Sequence, residues 1–118
     1  MTVRLTFALA ALLFCAACAE QHATATPAER ESQRADALEK QYAGVIMGSE
    51  VKGTTLTLYI DVNGMNGMDE DAEIAMKRNA LGFWKKTWSQ DHPRAHSTLT
   101  LLLRDFTGSE VYRKRVSV

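Results

Sequence analysis

The chain has 118 residues, 46% of them hydrophobic and 24% charged, with 14 Lys plus Arg against 14 Asp plus Glu. About a hundred residues after a leader is the usual size of one domain with one core, and the balanced charge lacks the basic excess of a nucleic-acid-binding surface. Both cysteines, Cys15 and Cys18, lie in the apolar N-terminal stretch, so no disulfide can hold the domain that follows.

Arg4 supplies a short positive segment, Leu5 to Cys15 (LTFALAALLFC) is an unbroken apolar run, and Ala16 and Ala17 are small. This is the order of an export signal. A spanning helix needs about 20 apolar residues, more than the uncharged stretch that ends before Glu20. Loss of Arg4 with the leader leaves 13 basic residues against 14 acidic ones, a nearly neutral mature chain.

The string Cys15-Ala16-Ala17-Cys18 resembles the lipobox of bacterial lipoproteins, with Cys15 where that family usually carries an aliphatic residue. The resemblance implies that Cys18 is acylated on its thiol and becomes the new N-terminus. By the same resemblance, Ala19 rather than Asp after the cysteine points to the outer membrane, with the domain facing the periplasm. The other reading takes Ala17-Cys18-Ala19 as an Ala-x-Ala site and releases a soluble periplasmic protein beginning at Glu20. The expected organisation is a signal peptide over 1–17, a lipidated Cys and flexible tether over 18–26, and a single α+β domain over 27–118.

Thr26-Pro27-Ala28-Glu29 is a capping-box pattern with Pro at the first helical position, so a helix is expected from there to about Gln41. Its apolar stripe is thin, Ala35, Leu38 and Tyr42, and Asp36 and Lys40 are spaced to pair. Ala43 to Ser49 reads as a strand. Thr54 to Val62 reads as a stronger one, with Leu56, Leu58, Ile60 and Val62 on one face and Thr55, Thr57, Tyr59 and Asp61 on the other. Gly53 between them suits a hairpin turn that needs positive φ.

Asn63 to Met68 holds two copies of Asn-Gly-Met and reads as a local loop. Asp69, Glu70 and Asp71 then place negative charge on the first turn of a long helix running to about Gln90. Steps of about 100° gather Ile74, Met76, Ala80, Leu81, Trp84 and Trp88 on a broad apolar face, with Phe83 at its margin. Pro93 ends that helix. Thr98 to Arg104 alternates with Leu99, Leu101 and Leu103 facing in; Asp105 to Gly108 is a turn, and Val111 to Val118 resumes strand character. The fold class is therefore α+β: a four-stranded, mainly antiparallel sheet of two hairpins, packed on one long amphipathic helix with an extra N-terminal helix. One helix layer leaves the opposite sheet face bare, and that face carries Thr55, Thr57, Tyr59, Thr98 and Thr100.

Trp84 and Trp88, one turn apart, are expected in the core because they share the apolar face, as is Met47. Met65, Met68, His92 and His96 offer the soft and borderline donors of periplasmic copper chemistry, and they define the alternative reading of a soluble ligand- or copper-handling protein. Met65 and Met68, however, follow from the duplicated tripeptide, and His92 and His96 flank Pro93 without a common helix face. Asp61, Asn63, Asp69 and Asp71 fail the spacing of a calcium loop, since Met65 and Asn66 fall where an oxygen ligand and a Gly are needed; they suit helix N-termini better. No nucleophile elbow, phosphate loop or zinc-protease motif is present, so the expectation is a non-enzymatic chain without a cofactor.

Arg113-Lys114-Arg115 is the densest local charge. On a strand Arg113 and Arg115 share one face and Lys114 takes the other. Such charge protects an edge strand from aggregation; it also suits an anionic partner, with Arg104 adding to it. Arg104, Arg113 and Arg115 are the candidate interaction residues. The expected partners are the membrane, through the lipid anchor, and an envelope protein.

Overall fold

The computed structural model describes residues 25–118, and the leader, the lipobox and Cys18 lie outside the described residues. Helix α1 (Pro27–Gln41) begins where the cap was expected, with the Thr26 hydroxyl accepting from the Glu29 amide at 3.2 Å. Strands β1 (Ile46–Lys52) and β2 (Thr55–Ile60) form an antiparallel hairpin turned at Gly53, whose φ is +56°. A short helix α2 (Val62–Asn66) and the long helix α3 (Glu70–Asp91) cross back to β3 (Thr98–Arg104), which pairs parallel to β2. Strand β4 (Glu110–Ser117) returns antiparallel on β3, completing a four-stranded sheet in the order β1-β2-β3-β4. Two antiparallel hairpins are thus joined by one parallel pairing, which requires a crossover of the kind that α2 and α3 supply.

Leu56, Leu58, Ile60, Leu99, Leu101 and Leu103 line the inner face, and each is almost fully buried. The helix α3 stripe of Met76, Ala80, Trp84, Thr87 and Trp88 covers them, while Ala35 and Leu38 of α1 join the same core. Trp84 is fully buried and its indole N–H donates to the Thr54 carbonyl at 3.0 Å, so this large side chain leaves no polar atom unmet. Trp88 stacks on His92 with ring centroids 4.3 Å apart. Both tryptophans are core residues, as expected.

The two Asn-Gly-Met copies are not equivalent. The first belongs to α2, capped by the Asp61 carboxylate on the Asn63 amide at 3.0 Å. There Met65 is buried, and a Cβ at Gly64 would run into the Gly44 carbonyl oxygen. The second copy starts at the last residue of the helix, Asn66, and runs out of it; there Met68 is partly buried and a Cβ at Gly67 would make ordinary contacts. Local side-chain and backbone hydrogen bonds made a helical turn out of a stretch that reads as loop. Asp69 caps α3 through the Ala72 amide at 2.7 Å, the structural role anticipated for the acids.

Two core assignments are corrected. Met47 is 52% exposed, because the register shifts between Ile46 and Gly48 and this residue is the bulge, thrown off the inner face that Ile46 occupies. Ile74 is 45% exposed at the border of the α3 stripe, and buried Thr87 takes a place in the stripe instead. Among the described residues Asp36 and Lys40 form no ion pair; the helical pair spaced by four is Glu73 with Lys77 at 3.6 Å.

Candidate functional site: the open face of the sheet

Strand registry decides what the uncovered face presents. Thr55, Thr57 and Tyr59 of β2 pair with Thr100, Leu102 and Arg104 of β3, and Thr100 and Leu102 pair in turn with Arg115 and Arg113 of β4. Side chains directly opposite in neighbouring strands share a face. Arg104, Arg113 and Arg115, separated by a hairpin in sequence, therefore converge on the same surface, while Lys114 pairs with Leu101 and belongs to the other side. Glu50 and Lys52 of β1 complete the surface by pairing with Thr57 and Thr55.

A shallow hollow of about 460 Å³ opens there, with Thr57 and Leu102 on its floor and Glu50, Lys52, Tyr59 and Arg104 around it. Leu102 is only 4% exposed although no helix among the described residues packs on this face. Its apolar surface on an otherwise polar face was not anticipated, yet the alternation that turned Leu99, Leu101 and Leu103 inward already required it.

The charges are arranged asymmetrically. The Tyr59 hydroxyl donates to Glu50 at 3.0 Å, and Lys52 lies 3.6 Å from the same carboxylate. That hydrogen bond to Glu50, followed by the carboxylate's charge, pushes the Tyr59 hydroxyl above its ordinary pKa and fixes it as a donor. Arg113 pairs with Glu110 at 2.6 Å. Arg104 donates to the Gly108 carbonyl at 2.9 Å, and among the described residues neither Arg104 nor Arg115 meets a carboxylate. The face has four basic groups to two acidic ones in a nearly neutral chain. It offers fork-shaped donors on the same face as the hollow, with Arg104 at its border, a surface suited to carboxylates.

The other candidates fall elsewhere. Met65 is part of the core. Met68 packs beside it. The His92 Nδ1 lies 3.0 Å from the Trp88 carbonyl, and the His96 Nδ1 lies 3.3 Å from that of Val118 at the far end of β4.

A second polar cluster escaped the sequence reading. Glu31 is 1% exposed at the contact of α1 with the end of α3, and its Oε1 has no hydrogen-bond partner. Asp91, one step away, accepts from Arg34 at 3.0 Å and lies 3.5 Å from the Arg30 Nε. Burial, then the Asp91 charge, pushes the Glu31 carboxyl above its ordinary value, against the pull of His92 and Arg34. For Asp91 burial acts in the same upward sense, but the Arg34 and Arg30 hydrogen bonds and charges outweigh it and hold that carboxyl low. Glu31, Ala35, Leu38 and Tyr42 follow helical spacing, so Glu31 stood on the apolar stripe of α1 and was visible there as a misplaced acid. Arg34 and Arg30 tie α1 to the end of α3 through Asp91, with Glu31 buried beside that pairing.

Comparison with protein-family models, with curated proteins and with solved structures finds no match for the chain.

Proposed function

We propose that the protein is a lipid-tethered, non-enzymatic binding module of the bacterial envelope, anchored through Cys18, whose open sheet face docks an acidic segment of a partner protein. The observation that carries this reading is the convergence of Arg104, Arg113 and Arg115 on one face of the sheet, with Arg104 bordering a hollow that has Leu102 on its floor. A surface meant only to stay soluble would intersperse charges evenly; this one gathers three arginines on one face beside a hollow with Leu102 on its floor, a partial likeness to the core and rim of protein interfaces. Lipid headgroups offer phosphates but nothing for that floor. The anchor follows from the lipobox-like segment, and the eight residues Ala19 to Thr26 reach roughly 30 Å when extended, which holds the domain close to the membrane.

The test has two arms on the full chain expressed in a bacterial host. Intact mass of the membrane-purified protein reads the anchor: acylated Cys18 is expected, with loss of acylation in Cys18→Ala. Native size after mild detergent extraction reads the docking: a complex larger than the monomer is expected, collapsing to monomer in Arg104→Glu/Arg113→Glu/Arg115→Glu. An unmodified chain starting at Glu20 overturns the anchor, and a complex indifferent to all three charge reversals overturns the face.

A further inference from the structure

At one end of the open face, the β3–β4 turn carries Phe106, which is 69% exposed. Exposed apolar side chains are common on mobile loops and need no explanation there. This loop is not of that kind. The Asp105 carboxylate accepts from the Thr107 amide at 2.9 Å, the Thr107 hydroxyl at 2.6 Å and the Ser109 amide at 3.0 Å. The Gly108 amide donates to the Asp105 carbonyl at 3.0 Å, and Gly108 itself, at φ +85°, sits in a region that other residues rarely enter. The Thr107 and Ser109 hydroxyls are a further 3.0 Å apart. The loop is thus held by hydrogen bonds from four residues, and it projects a Phe that contributes nothing to the core of its own fold.

The same loop is fastened to the candidate interface. Arg104 donates to the Gly108 carbonyl at 2.9 Å, and Gly108 borders the hollow with Leu102 and Tyr59. Holding an aromatic ring in place before an encounter lowers the ordering cost of binding, and aromatic and Arg side chains are the groups that most often dominate interface energy.

We infer that Phe106 is the preorganised aromatic anchor of the docking surface, and that the partner is an acidic protein presenting an apolar pocket rimmed by carboxylates, which receive Arg104 and its neighbours while the ring fills the pocket. This rests on the open face being the docking surface. The occupant is a protein rather than lipid because the loop joins an exposed aromatic ring to Arg104, which borders the hollow with Leu102; the pocket's acidic rim follows from charge complementarity with Arg104 and Arg115, which among the described residues meet no carboxylate.

The experiment uses the full chain in its bacterial host with p-benzoylphenylalanine at Thr100, the middle of the face, and reads the yield of the photoadduct. Phe106→Ser is expected to cut the yield about tenfold or more, the scale of losing a buried anchor, while Phe106→Trp keeps it within about twofold. Ile74→Ser, another exposed apolar residue but on α3, leaves it unchanged. A second probe, p-benzoylphenylalanine in place of Phe106 itself, is expected to give an adduct with an acidic protein. A full yield from Phe106→Ser, with the Arg104, Arg113 and Arg115 reversals still abolishing the adduct, overturns the anchor and leaves the docking face standing. Yields indifferent to the arginines as well defeat both. An adduct at Phe106 only with phospholipid, or only with a second copy of this chain, overturns the proposed partner.

Discussion

Replacing Glu31 by Gln isolates the one buried acid that is left unmet among the described residues. The side chain keeps its shape, but the group that burial and Asp91 disfavour as an anion becomes neutral. In the wild type, the folded state holds the Glu31 proton more tightly than the unfolded chain does. Its stabilising contribution is therefore complete below the ordinary value of 4.5 and is lost as pH rises through the raised folded value. Above that window an ionised carboxylate sits beside Asp91 with Oε1 unpartnered, 3.7 Å from the His92 ring. An unsatisfied buried polar atom costs about 1–3 kcal/mol, and the Arg34 charge offsets part of it, so Glu31→Gln should gain about 1–2 kcal/mol at pH 8 and nothing near pH 4. For a domain of this size that gain corresponds to roughly 4–16 °C in Tm. Urea unfolding followed by the fluorescence of buried Trp84 and Trp88, repeated from pH 4 to 8.5, gives the difference directly. A wild type that equals or exceeds Glu31→Gln in stability at pH 8, or a difference independent of pH, would refute the reasoning.

The duplicated tripeptide supplies an internal comparison. Gly64→Ala should cost about 1–3 kcal/mol, since its Cβ meets the Gly44 carbonyl, whereas Gly67→Ala should stay within about 0.5 kcal/mol, both read as urea midpoints. Asp91→Asn removes the negative charge and one of the two carboxylate oxygens that Arg34 and Arg30 share, and should lower stability by about 1–3 kcal/mol at pH 7. Asp91's contribution is present above its ordinary value of 3.8 and is lost as pH falls through the depressed folded value, so the penalty should shrink in strong acid. Trp84→Phe should cost roughly 2–3 kcal/mol through lost volume and the lost bond to Thr54, whose carbonyl still receives the Thr100 amide; thermal unfolding checks it.

How the sequence announced its fold depended on how local each cause was. The α1 cap at Thr26, the turn at Gly53 and the strand over Thr98 to Arg104 are written in a few adjacent residues, and they stand where their pattern put them. Met47 misled because a bulge moves one residue off the strand's alternation, an event set by the partner strand and invisible in the strand itself. The parallel pairing of β2 with β3 is likewise a tertiary fact, decided by where α3 lies rather than by any strand's composition. For the candidate site, strand parity was enough to separate Lys114 from Arg113 and Arg115, but only the pairing of β3 with β4 brought Arg104 to the same face. The Glu31 cluster needed the spacing of α1 to be followed one turn further toward its start than its apolar residues run.

The claim that the open face is the working surface is tested most directly by photocrosslinking in living cells from p-benzoylphenylalanine at Thr100, with the same probe at exposed Ser89 of α3 as the control position. An adduct from Thr100 but not Ser89, carried by an acidic segment of an envelope protein and abolished by reversing Arg104, Arg113 and Arg115, is the expected result. Equal adducts from both positions, or a Thr100 adduct that survives all three reversals, would contradict it.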